Sequence, residues 1–307
     1  MNPFLDDSFH IPWSELTPEL VVPDLTLGLD RAEAELEAIR NMPPGEVDFK
    51  NVHLRFCKAQ EDLSEAWNVV SHLDQVRNSD ALREAYNEML PKVTAFGTKA
   101  LLDQKLWNQV KAFAGTEEAQ ALDGQEKRLI DELVADFVEA GADLPEDKRS
   151  RLEELSSELA QATQKFSENV LDSTNAWQKV IEDESLLAGL PESAKIAASE
   201  TAKVKELEGW VFTLHAPSIM PIMKYLDDDS IRREFWEASC KVGWEGEWDN
   251  TDLIRKILEL RQEKATILGK RDYADVVLER RMAGSGARAD EFVSDLRDKT
   301  ADAFAGE

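Results

Sequence analysis

Leu144-Pro-Glu-Asp-Lys-Arg-Ser-Arg-Leu152-Glu-Glu-Leu155-Ser-Ser-Glu-Leu159-Ala-Gln-Ala162-Thr-Gln-Lys-Phe166-Ser-Glu-Asn-Val170 is the stretch on which the fold turns. Leu152, Leu155, Leu159, Ala162, Phe166 and Val170 follow one another at steps of three and four, the spacing that puts side chains on one stripe of an α-helix. Glu, Ser, Gln and Lys between them face water. Pro145 suits a helix's first position, where no backbone donor is needed, and Trp177 carries the same face further. A rod this long can bury its stripe only against other rods, which predicts an antiparallel helical bundle.

The pattern repeats upstream. Leu25, Leu29, Ala32, Leu36 and Ile39 predict a helix stopped by Pro43-Pro44-Gly45, preceded by an extended lead-in in which Pro3, Pro12, Pro18 and Pro23 oppose helix. Val52, Phe56, Ala59, Leu63 and Ala66 predict a second helix. Asn78-Ser79 starts a third, bent near Pro91. A fourth runs over 101–114 to Gly115, and a fifth over 118–140 to Gly141.

Downstream of Leu190-Pro191 the pattern changes. After a helix over 192–205, Gly209-Trp-Val-Phe-Thr-Leu214 is apolar, aromatic and β-branched, and too short for a stable helix. It predicts a strand, with a partner from 176–181. Helices resume over 217–226, 230–241, 252–268, 273–282 and 287–304. The expected fold class is all-α, mainly an antiparallel bundle, with one small β-element near 176–214. The tail Ala305-Gly306-Glu307 reads either as a frayed end or as a cut inside a longer chain.

Composition narrows the function classes. A chain of 307 residues, 42% of them hydrophobic, can bury a sizeable core. The 36 Lys and Arg against 62 Asp and Glu leave a net charge of -26, which phosphate backbones and anionic membranes repel, so neither nucleic acid nor membrane is expected as a partner. No run of about 18 apolar residues and no signal-peptide pattern is visible, which predicts a cytoplasmic protein. Cys57 and Cys240 lie outside any metal-like spacing and read as buried or half-buried free thiols.

The chemistry-bearing motifs are few. The four histidines, His10, His53, His72 and His215, include no pair three or four apart, and none is followed by Glu, so the His-Glu-x-x-His helix of a zinc peptidase is absent. Asp227-Asp228-Asp229-Ser230 lacks the alternating ligands of a calcium loop and reads as a helix cap. Gly284-Ser285-Gly286 lacks a phosphate loop's Gly-Lys-Ser/Thr ending and reads as an interhelical turn. No Gly-x-Ser-x-Gly elbow occurs. Trp236, Trp244 and Trp248 read as a cluster packing helix on helix.

Several stretches, taken in order, carry a resemblance. They are Leu187-Ala-Gly-Leu-Pro191-Glu192, Gly209-Trp-Val-Phe-Thr-Leu, Pro217-Ser-Ile-Met-Pro221, Arg232-Arg-Glu-Phe-Trp, Asp249-Asn250, Leu260-Arg-Gln-Glu-Lys-Ala265, Leu268-Gly269 and Tyr273-Ala274. Together they resemble the thimet oligopeptidase family of zinc metallopeptidases, within it the oligopeptidase A type. The resemblance implies a zincin-like, almost all-helical protein whose two lobes enclose a channel admitting short, unfolded peptides. It also implies that the zinc-binding helix, the third ligand and the main substrate-gripping residues lie beyond position 307.

The expectation is therefore an incomplete peptidase. Residues 1–186 would form an N-terminal helical domain, and 187–307 the beginning of the catalytic region, truncated before the zinc-binding helix. No catalytic, cofactor-binding or metal residue is assigned in this chain, and zinc is expected only for the complete enzyme. Short peptides would be its substrates, and self-association is expected of the truncated chain. The alternative is a non-catalytic helical protein of peptidase descent that binds peptides or a protein partner.

Overall fold

Pro18 opens the first long helix in the computed structural model, which describes residues 2–6 and 8–306. Helix α1 (Pro18–Arg40) accepts Pro18 in its first turn and carries Pro23 inside. The lead-in is thus shorter than the prolines suggest, because burial of Val21, Leu25, Ala32, Leu36 and Ile39 along one stripe outweighs a single lost donor at Pro23. Asp24, itself buried, ties the lead-in down by accepting from the Phe4 amide (3.0 Å) and Asn2 Nδ2 (2.8 Å).

The expected second helix is three pieces: a π-helical turn (Phe49–Leu54), α2 (Arg55–Ala59) and α3 (Glu61–Val76). The interruption has a packing reason. Val52 and Phe56 belong to a core with Leu36, Ile39, Trp107 and Phe137, whereas Leu63, Ala66 and Val70 belong to another with Val21, Leu25 and Met89.

Helix α4 (Asp80–Leu102) is capped by the Ser79 hydroxyl, which accepts from the Leu82 amide at 3.3 Å, and runs through Pro91. The Asp103 carboxylate starts α5 (Gln104–Ala114), accepting from the amides of Lys105 (2.8 Å) and Leu106 (3.0 Å). The expected fifth helix is split into α6 (Glu117–Ala121), with Thr116 as cap, and α7 (Gly124–Ala140). Then comes the longest rod, α8 (Glu146–Ala176).

After it come β1 (Gln178–Ile181), α9 (Glu192–Val204) and β2 (Trp210–Thr213). The strands pair antiparallel, from Gln178 opposite Thr213 to Ile181 opposite Trp210, and are the only sheet among the described residues. Gly209 precedes β2 at φ 82°, and a side chain there would meet the Ile181 carbonyl at 2.4 Å. The chain continues through α10 (Ala216–Tyr225), α11 (Asp229–Cys240), α12 (Thr251–Ile267), α13 (Tyr273–Leu278) and α14 (Gly286–Gly306). The fold is all-α with one small β-element.

The chain divides into two compact units, one of residues up to Gln161 together with those from Leu260 on, the other Ala162–Glu259. In the first, α1 packs on α4 and α3, and Phe137 stacks on Trp107 at 5.5 Å. A further cluster joins Leu102, Leu152, Leu155 and Leu260. In the second, α9 covers β2, and Phe212, Ile222 and Phe235 form the centre with Leu187 and Leu190. Both cysteines are free, and both are exposed, contrary to the expected burial: Cys57 and Cys240 fall outside the apolar stripes of α2 and α11.

Candidate functional site

The residues that carry the resemblance mostly brace the scaffold. Asn250 is buried, accepts at Oδ1 from Asn169 Nδ2 (2.9 Å) and donates to the Phe166 carbonyl (3.2 Å), fixing the start of α12 against α8 inside the second unit. In the first unit Glu263 receives a two-pronged bond from Arg151, Nε at 2.7 Å and Nη2 at 2.8 Å, and Arg151 also reaches Glu154 and Glu158. The Arg261 guanidinium lies 5.0 Å from the Tyr273 ring centre. Leu260 and Ala265 are buried, Leu260 in a cluster with Leu102, Leu152 and Leu155.

Arg280 anchors the end of α13 to α7 through Asp136 (2.6 Å), Glu139 (3.2 Å) and Glu132. Asp228, in the acidic run, caps α11 by accepting from the amides of Ser230 (2.9 Å) and Ile231 (3.1 Å). These bonds, led by that from the Ser230 hydroxyl, hold its carboxyl below the usual range. Gly284-Ser285-Gly286 is the turn between α13 and α14, tied by the Gly286 amide to Asp275 at 2.8 Å.

In the second unit a groove of about 570 Å³ has an apolar, aromatic floor that includes Trp177, Leu214, Val242 and Trp248. Trp177 stands edge-on to Phe235 at 4.8 Å, which fixes its ring. Glu234, Glu237 and Glu245 line the rim, and each is engaged by a basic side chain: Lys179 (2.7 Å), Arg233 (2.8 Å) and Lys241 (3.1 Å). The groove offers a contact surface and no free carboxylate base. The tryptophan cluster is not the helix-packing device its spacing suggests, since Trp236 is 56% and Trp244 62% exposed. Trp236 lies off the α11 stripe formed by Ile231 and Phe235, and Trp244 stands in the turn that follows the helix.

The histidines are scattered. His53 is buried against Phe49 and Phe113, whereas His10, His72 and His215 are exposed. Among the described residues no three His, Cys, Asp or Glu side chains gather as a metal ion would require. The donors present among the described residues therefore do not fit a bound zinc ion. No helix among the described residues is long and apolar enough to cross a membrane.

Comparison with known proteins agrees with the quoted stretches. The family description "Neurolysin/Thimet oligopeptidase, N-terminal domain" matches residues 25–149, and "Peptidase family M3" matches residues 222–307. Oligopeptidase A of Salmonella typhimurium is 34% identical over 302 residues, covering 96% of this chain and 44% of that protein. Oligopeptidase A of Escherichia coli is 33% identical with the same coverage. A probable cytosolic oligopeptidase A of Arabidopsis thaliana is 32% identical over 303 residues, 96% of this chain and 43% of its own. The chain belongs to peptidase family M3, the thimet oligopeptidase family. It spans less than half the length of these relatives.

Proposed function

We propose that this chain is the N-terminal portion of a zinc-dependent oligopeptidase of the oligopeptidase A type, acting on short unfolded peptides in the cytosol. The observation that carries this reading is similarity to oligopeptidase A along 96% of the chain. On it, residues 1–186 are the helical N-terminal domain and 187–307 the start of the catalytic region. The groove floored by Trp177, Leu214 and Trp248 is of the kind that takes apolar side chains of an extended peptide.

These 307 residues hold no His-Glu-x-x-His, and the family's chemistry needs two imidazoles one turn apart with a carboxylate to take a proton from bound water. The isolated chain is therefore expected to be inactive. A quenched fluorescent peptide incubated with the purified chain, with and without zinc, should show no hydrolysis. Chelator-sensitive turnover would overturn the assignment of the chemistry to sequence outside these residues.

A further inference from the structure

Lys264, on α12, lines a cavity of about 420 Å³ in the first unit, beside Leu101, Val138, Leu268 and Val276. The other charged groups facing that cavity are Asp136, Glu139, Lys270 and Glu279. All four are already paired: Arg280 holds Asp136 and Glu139, and Lys270 holds Glu279. Among the described residues the Lys264 ammonium has no hydrogen-bonding or ionic partner, and burial pushes its pKa below the usual lysine value. A half-buried ammonium beside apolar side chains, with no carboxylate in ion-pairing contact, is disfavoured relative to a solvated one, and loss of the proton or conversion to an uncharged amide relieves it. Partial desolvation of this kind raises the share of neutral, nucleophilic amine over that of a fully solvated lysine.

We propose that Lys264 is an acylation site that accepts short activated acyl groups, carried as acyl phosphates or acyl thioesters of small carboxylic acids. The Nζ lone pair attacks the acyl carbonyl carbon and an N–C bond forms. The C–O bond to phosphate, or the C–S bond to thiolate, breaks with its electron pair on the leaving group, and the surplus amine proton passes to water. Nothing is oxidised or reduced. The amide product is uncharged, and its alkyl end has Leu101, Val138 and Val276 to rest against. The proposal is independent of the peptidase reading.

The test uses the unmodified chain at about pH 7.5. One arm receives limiting acetyl phosphate, the other limiting S-acetylcysteamine, and acetylated positions are mapped by mass spectrometry. Lys264 should gain label about five-fold or more faster than the exposed Lys92 and Lys99, a lead that shrinks toward about pH 10 as ordinary amines lose their protons. The arm that labels it identifies the carrier; labelling of Lys264 in neither arm, or no faster than Lys92 and Lys99, overturns the proposal. Lys264→Met gives a second readout, because it keeps the length of the side chain and removes the charge. Its melting temperature should rise, and a fall would show that the ammonium is satisfied in place and overturn the proposal.

Discussion

His53 is wholly buried, stacked on Phe49 and edge-on to Phe113, and neither ring nitrogen has a hydrogen-bond partner. Burial lowers its pKa from 6.5 to about 4, so the ring is neutral in the fold. With the folded value depressed, its contribution to stability is complete above about pH 6.5 and is lost as pH falls through about 4, on the order of 3 kcal/mol in all. His53→Leu removes the unpaired nitrogens and should stabilise the chain by about 1–3 kcal/mol at neutral pH. Its advantage should widen between about pH 6.5 and 4, read from denaturant midpoints of both proteins. Parallel pH curves would refute this account. Gly189 is the opposite kind of residue, replaceable only at a loss. It sits at φ 88°, and an added side chain would lie 2.2 Å from the Tyr225 carbonyl. Gly189→Ala should therefore lower stability by about 2 kcal/mol or more in the same measurement, from left-handed strain plus the clash.

At the scale of elements, Asp103 does two jobs at the start of α5. It caps the helix and it accepts from Arg40 Nε at 2.7 Å, where the Arg40 side chain is only 12% exposed. Asp103→Ala should cost about 2 kcal/mol, roughly half from the cap and the rest from the weakened arginine contact. Asp103→Asn keeps an accepting oxygen for the cap and should recover about half of that loss; equal losses in the two variants would refute the division. Such caps were readable beforehand, as Asn78-Ser79 before α4 and the acidic run before α11 show, because a short polar side chain ahead of an apolar stripe has a local cause. The β1–β2 pairing was also readable, from the composition of 209–214. What could not be read was long-range. Asp24, Asn169 and Asn250 are buried only because partners distant in sequence meet them, and the exposure of Trp236 depends on which face of α11 the core takes. Lys264 looks like one more solvent-facing lysine on a charged helix. Its isolation emerges only once Arg280 and Lys270 have claimed the neighbouring carboxylates. As for the site, the missing histidine pair was legible, whereas the groove beside Trp177 required the fold.

For the whole molecule, two surface properties oppose each other. The net charge of -26 repels like copies, and α14 presents Phe292, Val293 and Leu296 to solvent at 68%, 62% and 51% exposure. These three residues fall on adjacent positions of one helix face, with Phe304 further along at 83% exposed. An apolar row of this kind drives association, while the charge supplies the barrier to it. Salt weakens the barrier and leaves the apolar attraction in place, since the screening length falls from about 20 Å at about 20 mM to about 4 Å at about 500 mM ionic strength. The chain should therefore be closest to monomeric at low salt and self-associate as salt rises, the reverse of assembly through ion pairs. Light scattering over a salt series reads this directly. Phe292→Ser combined with Leu296→Ser should abolish the rise in mass without lowering the melting temperature, because none of the described side chains of α14 is buried. A chain that stays monodisperse at high salt, or a double variant that still associates, would place the driving surface elsewhere.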